Sequence, residues 1–400
     1  MLDSVGLRIT LLSAYFNLWH LIIVGVVISA GSCVSNKASY RGTWTLDPEV
    51  DHPYFVVYLI GDAGKAAAPE NAYVMEHLKT RLDQESAESA IVWLGDNIYP
   101  VGLAPKTSSY HAEGRSNLMA QLATMSDYQG YKYFVPGNHD WYTYGRIGLR
   151  RQELLVDSFL SQTPNPNQQE NFFIPDKGCG DPQAHKLIEG VSILAMDSHW
   201  FLNYSDTYGV QEECQVQTPQ DFIELLNSEI NDHSDESLIL VSHHPPYTNA
   251  HHGGKFPLKD DLFPLTQKVK WLYWPLPVAG FVFNRIRLRF SEQDLYHPRY
   301  KTYRAAIIEA LEANGTNIVA SGHEHTLQMI DNDNQHYIVS GAASKESKVT
   351  LGNGSEFAVG HKGYAKLIFQ DAKNVMIQFI VPGQYLEQRN IAFQRILILE

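Results

Sequence analysis

The sequence predicts an α/β fold in which two packed β-sheets carry helices on their outer faces. Short apolar runs alternate with amphipathic stretches through the first half, and strand-like runs dominate the second. The apolar runs also end repeatedly in Gly, Asp, Asn or His, the residues expected where parallel strands deliver their carboxyl ends to a ligand-binding edge. The chain has 400 residues, 44% hydrophobic and 12% aromatic, enough to bury one large core or two ordinary ones.

Residues 54–60 read as the first strand, 68–84 as a helix, 90–94 as a strand, 117–125 as a helix, 132–135 as a strand and 151–160 as a helix. The texture then changes. Strand-like runs recur over 172–197, followed by a helix at 220–231, a buried strand at 238–242 and a helix at 300–314. Further strands are expected at 318–320, 337–340, 365–369, 375–380 and 391–399. Internal repeats and low-complexity tracts are absent from the sequence.

The first 33 residues have a different character. No Asp, Glu, Lys or Arg occurs from Ile9 to Asn36, and the stretch includes the apolar Leu21-Ile-Ile-Val-Gly-Val-Val-Ile28. This reads as an export signal. Its end, Ser29-Ala-Gly-Ser-Cys33, resembles a bacterial lipobox, in which the cysteine is lipidated and becomes the mature N-terminus, although Ala30 stands where a larger aliphatic residue is usual. An uncleaved membrane anchor and plain cleavage are the alternatives, and all three place the body outside the cytoplasm, with the first two holding it on a membrane. Such a setting permits a disulfide between Cys179 and Cys214; the alternative is two unpaired thiols. The expected organisation is thus an export or anchor segment (1–33), a linker (34–53) and one domain (54–400) with an insertion at about 255–298.

A formal net charge of −13 leaves no overall cationic field for a nucleic-acid backbone, so nucleic acid is not an expected partner. An anionic substrate must be captured locally, and five strand endings offer the means. They are Ile60-Gly-Asp62, Leu94-Gly-Asp96-Asn-Ile-Tyr99, Val135-Pro-Gly-Asn138-His139-Asp140, Val241-Ser-His243-His244 and Ala320-Ser-Gly-His323-Glu-His325. A pair of cations about 3.5–4 Å apart requires a bridging carboxylate, further oxygen and imidazole ligands, and open positions for water and phosphate. These endings supply that set, with glycines expected to turn the backbone so the ligands enter the site.

The order of the motifs, over residues 54–327, resembles the calcineurin-like metallophosphoesterase superfamily. That resemblance implies a four-layer α/β/β/α sandwich of two mixed sheets with a dinuclear site at the strand carboxyl ends. Most superfamily members carry a His two residues after the first Asp; here Asp62-Ala-Gly64 lacks it, and Tyr99 stands three residues after Asp96. This exchange resembles the purple acid phosphatases, in particular the small tartrate-resistant type, where a tyrosinate serves a ferric ion. The resemblance implies Asp62, Tyr99 and His325 as ligands of Fe(III), with Asn138, His244 and His323 holding a divalent ion (Fe, Zn or Mn) and Asp96 bridging. His244 is preferred to His243 by counting from Val241, which leaves His243 as a packed imidazole outside the ligand set. His139 matches the residue that binds phosphate or protonates the leaving group, and His252, with His251 as the alternative, matches a second substrate-facing imidazole.

The implied activity is hydrolysis of phosphate monoesters, a small phosphate ester being attacked by a metal-bound hydroxide while a protonated histidine serves the leaving alkoxide. A phosphodiesterase or pyrophosphatase acting on nucleotide or lipid head groups is the alternative within the fold. A non-catalytic surface binding protein on the same scaffold is the alternative outside it. Asp197-Ser-His199 has the residue types of a hydrolase triad, but adjacent residues cannot take its separated geometry, and neither a Gly-x-Ser-x-Gly elbow nor a phosphate-binding P-loop is present. The insertion contains an uncharged aromatic run at 271–283 flanked by Lys268, Lys270, Arg285, Arg287 and Arg289. It reads either as a cap over the active site or as a lipid-contacting segment.

Overall fold

A computed structural model describes residues 34–399 apart from 49, 205–211, 268 and 313. The expected export or anchor segment, with Cys33, lies outside the described residues. In chain order the elements are β1 (Ser39–Tyr40), β2 (Phe55–Ile60), α1 (Ala72–Leu82), β3 (Ser89–Leu94), α2 (His111–Ala123), β4 (Tyr131–Val135), the single turn α3 (Asn138–Trp141) and α4 (Gly145–Leu160). There follow β5 (Gln183–Ile188), β6 (Val191–Ala195), α5 (Ser198–Leu202), α6 (Pro219–Asp232) and β7 (Ser237–Ser242). The insertion holds α7 (Leu258–Leu262) and α8 (Pro277–Arg287) and leads into α9 (Pro298–Leu311) and β8 (Ile318–Ser321). The last strands are β9 (Leu327–Asn332), β10 (Gln335–Ser340), β11 (Ser355–Val359), β12 (Tyr364–Phe369), β13 (Asn374–Ile380) and β14 (Ile391–Ile398).

Two mixed sheets result. One has the order β14-β13-β12-β2-β3-β4, with β2, β3 and β4 parallel and β12 to β14 an antiparallel meander. The other runs β1-β11-β9-β10-β8-β7-β6-β5, with β6, β7, β8 and β10 parallel. Strand alternation explains the layering, because successive side chains face opposite sides. Val57, Leu59, Val92 and Leu94 join Ile239 and Val241 in one buried cluster between the sheets. The intervening Tyr58 and Ile60 join Leu78 of α1 in the outer cluster, as Leu240 joins Phe222 and Leu226 of α6. The architecture is the four-layer sandwich, and each fully buried large apolar side chain contributes about 1.5–3 kcal/mol.

Local chemistry sets the helix starts. Thr218 Oγ1 accepts from the Asp221 amide at 3.2 Å and Asp221 Oδ2 accepts from the Thr218 amide at 3.0 Å, a capping box followed by Pro219 in the first turn of α6. Two helices begin about six residues before their expected starts, α2 at His111 and α4 at Gly145. In α4 the extra turn carries glycines and arginines rather than an apolar stripe, and is held by tertiary bonds such as Arg146 Nε to Lys177 O at 3.0 Å. Within the expected linker, β1 pairs with β11 at a sheet edge. Cys179 and Cys214 are joined by a disulfide, with Cα atoms 5.5 Å apart. Among the described residues no helix is long and apolar enough to cross a membrane.

Candidate metal centre

The parallel strands bring the five endings together. Ile60 lies opposite Trp93, Leu94 opposite Val135, and in the other sheet Ser242 opposite Ser321. Backbone bonds then cross between loops: the Asp62 amide donates to Gly95 O at 2.9 Å and the Gly322 amide to His243 O at 3.0 Å. The turn into the site is made only partly in the expected way. The chain takes the left-handed conformation at the ligand candidates themselves, with φ of 62° at Asp62, 53° at Asp96 and 67° at His323. Such residues cost on the order of 1 kcal/mol each and persist where surrounding contacts fix them. Of the neighbouring glycines, Gly95 turns in the left-handed region as expected, with φ of 84°, whereas Gly137 and Gly322 serve close approach: a Cβ on Gly137 would sit 2.2 Å from Asp96 N, and one on Gly322 2.8 Å from Asp62 Oδ2.

The polar side chains fall into two subsets. In the first, Asp62 Oδ1 accepts from Tyr99 OH at 2.7 Å, His325 Nε2 lies 3.3 Å from that hydroxyl, and the same nitrogen is 3.5 Å from Asp62 Oδ1. In the second, His243 Nε2 is 3.0 Å from Asn138 Oδ1 and 3.3 Å from His323 Nδ1. Asp96 stands between them: its carboxylate, that of Asp62 and a His243 nitrogen all lie within 4.8 Å of one another.

His243 departs from its expected place outside the ligand set. Its Nδ1 donates to Leu94 O at 2.8 Å, which leaves Nε2 to face Asp96 and Asn138. His244, the residue chosen from spacing, has Nδ1 2.8 Å from Ser198 Oγ and Nε2 2.6 Å from Gln293 Oε1. It remains close enough to group with His243 and His323, but His243 alone belongs to both candidate cation groups. On this geometry the second subset is Asn138, His243 and His323, with His244 beside it.

His139 and His252 both border the centre. The His139 amide donates to Asp96 Oδ1 at 2.9 Å, its Nδ1 donates to Pro100 O at 2.6 Å, and its Nε2 lies 3.9 Å from Asp96 Oδ2. The His252 ring sits 4.1 Å from that of His323, with Nδ1 2.7 Å from Asp294 Oδ1. Burial works against its charged form, but the Glu324 and Asp294 carboxylates outweigh that and raise its pKa. His251 instead contacts Arg287 of α8. Asp197-Ser-His199 is no triad: Asp197 caps α5 by accepting from the Trp200 amide at 2.9 Å, and Ser198 faces His244.

Several participants were not foreseen. Asp140 ties the β3 and β4 loops by accepting from the amides of Gly137 at 2.8 Å, Ile98 at 3.1 Å and Asn97 at 3.2 Å. Gln293 O lies 3.0 Å from His323 Nε2, which directs the Nδ1 of that ring to His243. Lys345 Nζ lies 3.1 Å from the centre of the Tyr99 ring. The Asp140 side chain stood in a recognised motif, whereas Gln293, Asp294 and Lys345 arrive from loops far away in sequence and carry no local signal.

The electrostatics fit cations. Burial, together with the Asp62 and Asp96 carboxylates, raises the Tyr99 phenol well above its ordinary pKa, so it ionises only against a hard positive charge. Burial also opposes ionisation of Asp96, but His243 and His139 outweigh it and hold the carboxyl well below its ordinary range. Burial and neighbouring imidazoles push His244 and His323 well below the usual histidine value, leaving neutral rings with lone pairs. Buried carboxylates, neutral imidazoles and a phenol directed at one region are a donor set for two hard or borderline ions.

Residues 55–327 match the sequence model of the calcineurin-like phosphoesterases. A chain with this fold, this order of strand-end ligands and this match is a metal-dependent phosphoesterase by class. It belongs to the calcineurin-like phosphoesterase family. No curated protein matches the chain in sequence. Similar solved structures include the GAP50 anchor of the inner membrane complex of Plasmodium, 13% identical, covering 87% of this chain and 90% of that one with a TM-score of 0.49. Another is purple acid phosphatase PPD1 from yellow lupin (Lupinus luteus) seeds, 12% identical, covering 82% of this chain and 52% of that one with a TM-score of 0.48.

Proposed function

We propose that the protein hydrolyses phosphate monoesters with a dinuclear Fe(III)–M(II) pair, M being Fe, Zn or Mn, in the manner of a purple acid phosphatase. The observation that carries this reading is Tyr99, whose hydroxyl lies 2.7 Å from Asp62 and 3.3 Å from His325 where the first motif lacks a histidine. Asp62, Tyr99 and His325 would hold the ferric ion, Asn138, His243 and His323 the divalent ion, and Asp96 both. When bound, such a pair polarises the phosphoryl group, neutralises its charge and makes bound water acidic.

The chain's own residues then divide the remaining work. His139, with Nδ1 committed to Pro100 O, keeps Nε2 at the Asp96 side of the centre, where it can hand a proton to a leaving alkoxide. His252 is fixed by Asp294 beside His323 and supplies a second positive contact for the phosphoryl oxygens. We also propose that the protein works outside the cytoplasm, attached through its N-terminal segment; the bonded Cys179–Cys214 pair supports an oxidising compartment.

Iron content and the visible spectrum test the reading. Phenolate on ferric iron absorbs by charge transfer, so aerobically purified protein should be violet to pink, and Tyr99→Phe should lose the band. His139→Ala should keep the colour and slow release of phosphate from an aryl monoester roughly 10²-fold. Colourless protein holding two zinc or manganese ions, with full activity in Tyr99→Phe, would leave the family membership intact and remove the purple-phosphatase assignment.

A further inference from the structure

Phe256 and Leu288 of the insertion are buried, but helix α8 between them carries its large apolar residues mostly on the solvent side. On α8 the exposed positions are Val278, Val282, Phe283 and Ile286, spaced as one helical face, and the stripe continues to Phe290 just beyond the helix. The inward side is the polar one: Asn284 Nδ2 donates to Asp261 Oδ1 at 2.9 Å, and Arg285 pairs with the same carboxylate. A helix that packs on a core for its own stability has the reverse arrangement. The loop that leads into α8 exposes Trp271 at 78%, Trp274 at 62% and Tyr273 at 56%, and Phe290 is exposed at 79%.

Charge selects what covers such a patch. From Leu262 to Ser291 the sequence holds five basic residues, Lys268, Lys270, Arg285, Arg287 and Arg289, and no Asp or Glu, in a chain whose net charge is −13. Lys270 and Arg289 are exposed and flank the apolar residues, whereas Arg285 and Arg287 turn inward to Asp261 and His251. In a two-fold contact with a second copy the patch would meet itself, with Lys270 and Arg289 facing the same basic residues. An anionic lipid layer offers both apolar area and counter-charge, and Trp and Tyr beside Lys and Arg around an apolar helix face is the composition that partitions into a bilayer interface.

We propose that α8 and the 271–274 loop dock in the interfacial layer of an anionic phospholipid bilayer, with the helix lying in the membrane plane. Docking has a consequence for the metal centre. The chain leaving α8 supplies Gln293 to His244 and His323 and Asp294 to His252, so the docked insertion holds that side of the centre at head-group level. A phosphate ester carried on a lipid head group would meet it there. This consequence rests on the hydrolytic reading; the docking itself does not.

The test reads the helix directly, so that attachment through residues 1–33 cannot imitate it. Full-length protein carrying Cys33→Ser and Val282→Cys is labelled with an environment-sensitive thiol dye, Cys179 and Cys214 being bonded to each other. Phe290→Cys is a second reporter, and Leu386→Cys, exposed in a turn outside the insertion, is the control. On vesicles of phosphatidylcholine with phosphatidylglycerol, emission at 282 and 290 should shift to the blue and rise, and emission at 386 should not. Pure phosphatidylcholine should give a weaker response, and Lys270→Gln with Arg289→Gln should lower the response on anionic vesicles to that level. Unshifted emission at both reporters, or the same shift at 386, would overturn the proposal. So would a blue shift without vesicles that grows with protein concentration, which would assign the face to a second copy. Turnover of a soluble aryl phosphate by the labelled proteins is recorded separately, so failure to dock and failure to hydrolyse are distinguishable.

Discussion

The strand-end centre and the insertion bury opposite kinds of surface. At the centre, polar groups are held inside the protein: Asp62, Asp96, His243 and His323 are all buried, each fixed by backbone or side-chain partners. In α8 the apolar groups are outside and the polar contacts inside. Both arrangements oppose the ordinary partition of residues: the first fits the cations of the family's metal centre, and the second is the ground for the proposed lipid contact. The lesson is that departures from that partition mark function when they are spatially concentrated. A scattered exposed leucine would carry no such weight.

The largest effect expected of this contrast is at the bridging position. Asp96→Asn should lose both metals and lower turnover by more than the roughly 100-fold typical of an outer partner. His243→Ala should behave likewise, whereas His244→Ala, which removes a contact to Ser198 and Gln293, should retain both metals by elemental analysis. Equal metal loss in the two histidine variants would return His244 to the ligand set. None of these substitutions should change the response of a dye on α8.

Chelation comes next. Metals that bind only the folded state add about 2.7 kcal/mol when present at 100 times their dissociation constant. Their removal leaves Asp62, Asp96 and a phenol of raised pKa buried together, so the thermal midpoint should fall measurably and recover on reloading. An unchanged midpoint would mean that the chain holds the centre preformed without help from the ions.

Legibility in the sequence follows the same division. The βα alternation, the buried runs and the five strand endings are readable because each is local: an apolar strand followed by a short polar motif. At the fourth ending, counting within the motif favours His244, whereas strand register favours His243. Ile239 and Val241 face the space between the sheets, and His243 continues that parity, as Asp96 continues that of Val92 and Leu94. Gln293 and Asp294 were unreadable for a different reason: nothing local in residues 291–297 signals that they return to His323 and His252. The inverted pattern of α8 was visible only as composition, since an apolar face gains meaning once the side that packs is known.

A pH titration of stability gives a smaller effect confined to the sandwich. Lys132 of β4 is buried, with Nζ donating to Pro164 O at 2.7 Å, and burial lowers its pKa to about 8. The unfolded value is higher, near 10.4. Between these two values the unfolded chain binds the extra proton, so the stability carried by this group rises as pH increases from about 8 towards 10. Lys132→Met should flatten that rise in urea-unfolding midpoints. A slope identical to that of the parent protein would show that another group carries it.

The smallest effect should belong to the insertion's outer face, and its smallness is what makes it informative. Phe283 is 57% exposed, so Phe283→Ser gives up less than half the burial of a core phenylalanine and should cost about 1 kcal/mol. Ile239, fully buried between the sheets, should lose about 2–5 kcal/mol on replacement by Ala. Turnover of a soluble monoester should also be unaffected at 283, since the side chain points away from Asp261 and the polar inner contacts of α8. A large aromatic kept on the surface with little contribution to stability and none to soluble turnover has its use elsewhere, and vesicle binding is where the serine should register. If Phe283→Ser instead costs stability comparable to Ile239→Ala, the helix packs against the body of the protein through that face, and the contrast between the two regions fails at its simplest point.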